Sequence, residues 1–168
     1  MTCAFDWIYG GSDEPIFYDS YIARSINGDL FFEIPPETSQ DRFNAHRPFQ
    51  VFSCWNGAVA FTAAPVVERK VAFRGSRQEE CFQGEPQLFC KDMWFNGYGK
   101  IAVVPSVNLE YSNEKGKKIK EDKGYTSQWV TKDIAVADKI EWQPPPERVK
   151  CMPTFNRQFW GLWNETLG

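Results

Sequence analysis

The segment Phe49-Gln50-Val51-Phe52-Ser53-Cys54-Trp55-Asn56-Gly57 places the tightest limit on how this chain can fold. Its first four residues read as a buried strand. The Asn-Gly pair at its end forces a sharp turn, because glycine accepts positive φ without a steric penalty. A turn at the end of a buried strand delivers side chains and backbone amides to a cleft. Spacing alone leaves two readings. One is an ordinary turn holding a core tryptophan. In the other, Trp55 stacks on a sugar ring and Asn56 binds its hydroxyls.

The 168 residues are enough for one domain with a real core and too few for two ordinary ones. Seven Trp and fourteen Phe point to a core built from large rings, each of which buries roughly 150–250 Å². The net charge of −3 argues against a general nucleic-acid binder, which needs a basic face to neutralise phosphates. No apolar stretch approaches the ~20 residues of a spanning helix, so membrane attachment is expected only through a segment outside this chain. The five cysteines (3, 54, 81, 90 and 151) lack zinc-site spacing. They are read either as reduced core residues or as two disulfides and one free thiol, with the pairing open. A sequon, Asn164-Glu165-Thr166, is consistent with a luminal location.

Residues 1–47 read as loop-rich, with turn clusters at Gly10–Pro15 and Asn27–Asp29 and an extended connection at Pro35-Pro36. Short strands are expected at 49–52 and 71–74, a strand or buried turn at 58–64, and a helix over 86–97. Ile101–Val104 reads as a strand stopped by Pro105, and 107–111 as another. The five lysines and three acids of 112–124 read as a solvated loop. Residues 144–168 read as a proline-rich spacer and a docked apolar tail that follows a first unit, 1–143.

Two further groups carry candidate chemistry. Glu85, just before a helix start, suits a cleft carboxylate that accepts a hydrogen bond from a substrate hydroxyl or steadies a developing cation, and equally a helix-terminus acid. Asp92 lies two turns further on; Arg74 and Arg77 have the guanidinium geometry that grips a diphosphate. His46, the single histidine, cannot belong to a multi-histidine metal site.

Taken in order, several segments resemble glycosyltransferase family 69, the fungal group of capsule-associated proteins and α-1,3-mannosyltransferases. They are Met1–Trp7, Phe17-Tyr18-Asp19 with Ala23-Arg24, Val51–Gly57, Phe73-Arg74, Glu79–Asp92 and Val104–Val107 with Tyr111. This sequence departs from the family pattern at Ser25, where an acid is expected, and at Gly84-Glu85-Pro86 in place of Ser-Glu-Cys. The resemblance implies the C-terminal portion of a GT-A-like α/β fold, a mixed sheet with few helices and long loops. It implies a retaining α-1,3-mannosyltransferase that moves mannose from GDP-mannose to a glycan acceptor with a divalent metal, Mn or Mg. It places the protein in the Golgi lumen or secretory pathway, as a type II membrane protein in full-length form. Asp19, Arg24, Trp55, Asn56, Gly57 and Arg74 would then bind substrate, and Glu85 and Asp92 would be catalytic, with the metal ligands unassigned. The nucleotide-binding half is expected outside this chain, which opens a different reading, a non-catalytic carbohydrate-binding module.

Overall fold

A computed structural model describes residues 1–31, 37–130 and 139–167. The Pro35-Pro36 connection lies outside the described residues. The fold is mixed α/β with few helices, as expected.

Its centre is β1 (Thr2–Ile8), a strand in the stretch read as loop-rich. Cys3, Ala4, Phe5, Asp6 and Trp7 are all buried, so the strand is covered on both faces and shows no alternation to betray it. Along one edge β1 pairs in parallel with β5 (Ala102–Leu109). Along the other it pairs antiparallel with two short strands: β2 (Ile16–Phe17) opposite Trp7 and Ile8, and β4 (Val59–Ala60) opposite Thr2 and Cys3. β3 (Phe49–Gln50) adds to the far edge of β5.

Pro105 does not stop β5. The β1–β5 register steps from Cys3↔Val103 to Phe5↔Asn108, so the proline sits in an irregularity that spares the ladder its missing N–H. The expected strand at 71–74 is absent. The expected strand or buried turn at 58–64 shortens to β4 and then turns into a helix, α2 (Ala64–Val67).

On one side of the sheet Phe5, Phe17, Phe31 and Phe49 pack ring against ring beside α1 (Glu37–Asn44). The helix α3 (Glu85–Phe95), close to the expected helix, packs into the same core, with Gln87 through Trp94 all buried. A helix buried on every side must satisfy its polar members internally. The Gly84 N–H donates to Gln87 Oε1 at 2.8 Å, Gln87 Nε2 donates to Tyr21 O at 3.0 Å, and Trp94 Nε1 donates to Phe52 O at 2.9 Å.

Residues 113–123 are a helix, α4 (Asn113–Lys123), where a loop was expected. Ser112 caps it by accepting from the Lys115 N–H at 3.2 Å, and Gly124 ends it at φ 88°. Only Ile119 is buried, so the lysines are solvated as their number suggests. A short helix, α5 (Thr126–Trp129), follows.

The tail is an antiparallel hairpin of β6 (Arg148–Thr154) and β7 (Arg157–Leu162). It docks through Val149, Cys151, Trp163 and Leu167, whereas Phe159 and Trp160 face solvent. Two disulfides resolve the open pairing: Cys3–Cys54 and Cys81–Cys151, with Cys90 a buried free thiol.

Candidate functional site: a carboxylate pair at the strand ends

The two short strands on one edge of β1 leave its middle unpaired by any regular strand. The Ala4 N–H donates to Ala58 O at 2.9 Å and the Tyr18 N–H to Asp6 O at 3.0 Å, so the chain before β4 and the chain after β2 converge over Asp6. Asp6 pairs in register with Leu109, at the C-terminal ends of the two parallel strands, where open α/β sheets place their ligands.

Asp6 is fully buried and its carboxylate is held from two sides. Tyr111, just beyond β5, donates its hydroxyl to Oδ2 at 2.6 Å, and the Asp19 N–H donates to Oδ1 at 3.3 Å. Burial and the neighbouring carboxylates push the Tyr111 hydroxyl above the usual tyrosine range, which keeps it a donor. The Asp19 carboxyl lies beside Asp6, half-buried. Burial first, then the Asp6 charge and a shared hydrogen bond, raise it to about 6, although the Asn56 and Gly57 amides pull the other way.

The Asn56-Gly57 turn supplies those amides. Asn56 has φ 43° and Gly57 φ 74°. A Cβ on Gly57 would stand 2.8 Å from Asp6 Cβ, so glycine is required by contact as well as by φ. Cys54 is tied to Cys3, which fixes the turn to β1. Ser53 fixes its other side: its hydroxyl donates to Ile22 O at 3.0 Å and its carbonyl accepts from the Arg24 N–H at 2.9 Å. The Asn56 side chain is itself buried. Its Oδ1 accepts from the Trp55 N–H at 3.2 Å and its Nδ2 has no partner among the described residues, a cost tolerated only where the surroundings over-determine the conformation. Asn56 therefore acts on Asp19 through its backbone, and its side chain is not presented to a sugar as the sequence reading had it.

Asp19, Asn56 and Gly57 are thus brought together. Asp6 and Tyr111 complete the group; both lie in segments that carry the family resemblance, but neither is given a site role there. Asp6 is also marked as an acid inside the apolar run Cys3-Ala4-Phe5-Asp6-Trp7.

The other candidates sit elsewhere in the fold. Trp55 is half-buried among Phe61, Phe73 and Phe89, with ring centroids 5.5–6.5 Å away, as a ring at the edge of the core. Arg24 is buried, its guanidinium over the Tyr21 ring and donating to Met152 Sδ, so it ties the loop before the turn to β6.

Arg74 does not face a diphosphate. Nε and Nη2 donate to Asp92, Nη1 and Nη2 to Glu80, and Nη1 also to Gly75 O, at 2.7–3.1 Å, which engages all five N–H donors. Asp92 is correspondingly an ion-pair partner inside this network and not a free catalytic acid. Lys91, buried, completes it with a 2.5 Å contact to Glu80. Glu85 is exposed at the first turn of α3, the position of a helix-start acid. Among the described residues no group of three His, Cys, Asp or Glu is placed to hold a metal ion.

The fold and site define a mixed α/β domain whose parallel strand ends carry a shielded carboxylate pair under a backbone-amide turn. Residues 1–92, which include Asp6, Asp19, Asn56 and Gly57, match the family model described as cryptococcal mannosyltransferase 1, and the chain belongs to that family. The chain is 34% identical over 191 aligned positions to alpha-1,3-mannosyltransferase CMT1 of Cryptococcus neoformans var. neoformans serotype D. That alignment covers 99% of this chain, which spans 41% of the relative's length. No solved structure matches the chain.

Proposed function

We propose that this chain is part of a retaining α-1,3-mannosyltransferase of GT-A-like architecture, and that the Asp6–Asp19 site orients the acceptor glycan's hydroxyl. The observation that carries this reading is the Asp19 carboxyl. It is raised to about 6, buttressed by Asp6 and faced by the Asn56 and Gly57 amides. A group with that value is largely ionised at neutral pH yet close enough to it to accept a proton.

In the transfer, the bond from the anomeric carbon to the diphosphate oxygen of GDP-mannose breaks and its electron pair leaves with GDP. A lone pair of the acceptor hydroxyl, attacking the anomeric carbon on the face from which GDP departs so that configuration is retained, forms the new glycosidic bond, and the hydroxyl proton passes to Asp19. Asp6, Tyr111 and the turn amides hold Asp19 in place. The donor is GDP-mannose, used with a divalent metal. Membership of a mannosyltransferase family favours an enzyme over a sugar-binding module. Two disulfides favour a secretory lumen, Golgi included, where thiols oxidise. Among the described residues no helix is long and apolar enough to cross a membrane.

The test is mannosyl transfer from GDP-mannose by a full-length family enzyme carrying these residues. Asp19→Asn should lower kcat by about 100-fold or more, at an unchanged unfolding midpoint. Turnover within about threefold of the parent would sink the assignment, because a lost general base costs far more.

A further inference from the structure

A second cleft, of about 300 Å³, opens between the β6–β7 hairpin, the loop 79–83 and the C-terminal turn. It shares no lining residue with the Asp6–Asp19 site. Its size falls at the lower end of the range for ligand sites.

The walls are of two kinds. Phe82, Phe159 and Trp163 supply aromatic surface, and Phe82 and Phe159 are 70% and 47% exposed. Glu79, Gln83, Arg157 and Glu165 supply hydrogen-bonding groups at the rim. The floor is Lys91, Glu80 and Thr166, whose charges and hydroxyl satisfy one another: Lys91 Nζ contacts Glu80 at 2.5 Å and donates to Thr166 Oγ1 at 3.3 Å. The lining therefore holds three acids against two bases, and Lys91 is already neutralised. A diphosphate or phosphosugar would meet a wall of its own sign. A neutral molecule with apolar faces and many hydroxyls meets both kinds of wall with the right chemistry.

The cleft is also built rigidly. The Cys81–Cys151 disulfide joins the loop to the hairpin, and Arg74 locks Glu80 from behind. Glu79, on the rim, is held at φ 65°, a conformation non-glycine residues rarely adopt. A wall ordered before binding loses less entropy when ligand arrives.

We propose that this cleft binds a neutral oligosaccharide segment of the acceptor, as a subsite distinct from the carboxylate pair. The inference takes from the transferase reading only that the acceptor is a glycan. Phe159 stacks on a sugar face, and Arg157 and Glu79 bond its hydroxyls.

The test uses the full-length enzyme with α-linked mannopentaose and, separately, methyl α-mannoside as acceptors. Phe159→Ala and Arg157→Ala, both at exposed positions, should raise KM for the pentaose by about 5–10-fold. They should leave kcat, KM for GDP-mannose and KM for the monosaccharide unchanged. An unchanged pentaose KM, or an equal rise for both acceptors, overturns the subsite. Calorimetric titration of mannopentaose without GDP-mannose separates this proposal from the catalytic one. Binding kept in Asp19→Asn and lost in Phe159→Ala supports the cleft even if Asp19 proves dispensable for transfer. Equal binding in parent and Phe159→Ala, or none in either, overturns it.

Discussion

Gly57 and Asp19 show how much of the site depends on single atoms. The Gly57 Cα sits so close to Asp6 that one added methyl would have to displace the carboxylate side chain or the turn. Gly57→Ala should therefore lower stability by about 1–3 kcal/mol in urea unfolding and impair transfer more than a surface change would. An alanine variant of parental stability and activity would show that the turn is not held against Asp6. The turn itself was legible in the sequence, because Asn-Gly after an apolar run has few other solutions. Asp6 was not, because a buried acid in a strand covered on both faces leaves no periodic trace, and its partners, Tyr111 and the Asp19 amide, lie 105 and 13 residues away. Arg74 and Asp92 were recognised as charged groups that matter. Their mutual engagement could not be read, since it depends on a loop folding back eighteen residues onto a helix.

At the scale of elements, α3 is the clearest case of a helix that buries charge and has to compensate it. Its Lys91 and Asp92 both sit inside the protein, and Glu80 and Arg74 are their partners. Burial would raise the Glu80 carboxyl, but Arg74, the Arg77 amide and Lys91 outweigh it and lower it to about 2. A carboxyl held below its unfolded value of 4.5 stabilises the fold above about pH 4.5, and this contribution is lost as pH falls towards 2. Glu80→Ala, which leaves Lys91 buried without its counter-ion, should cost about 3–5 kcal/mol at neutral pH. It should also flatten the fall in stability between pH 4.5 and 2. A loss under about 1 kcal/mol with an unaltered acid profile would mean the network is solvated, as ion pairs at the surface are. The helix α3 was legible from Pro86, its apolar residues and Gly97. The helix α4 is bounded by Ser112 and Gly124, but its composition of five lysines and three acids is equally that of a solvated loop. The strand β5 was split in two because a proline normally ends pairing, and only the register shift against β1 shows how it was absorbed.

For the whole molecule, two disulfides join parts that the sequence keeps 51 and 70 residues apart. Cys3–Cys54 pins the functional turn to the central strand, and Cys81–Cys151 pins the hairpin to the loop before α3. Reduction of the pair should lower stability by about 2–4 kcal/mol per bridge. In the native oxidised protein an alkylating reagent should label none of the cysteines, because the remaining thiol, Cys90, is buried and burial pushes it up to about 12. Rapid labelling of three or more cysteines in the native protein would contradict this pairing. The architecture places the carboxylate pair and the oligosaccharide cleft on one chain, each braced by its own bridge. The most direct test of the central claim is the pH dependence of kcat/KM for mannosyl transfer by the full-length enzyme. If Asp19 must be ionised to take the acceptor proton, activity should fall on the acid side through about pH 6, and that limb should disappear, along with most of the rate, in Asp19→Asn. An acid limb near 6 that persists in a fully active Asp19→Asn enzyme would contradict the account.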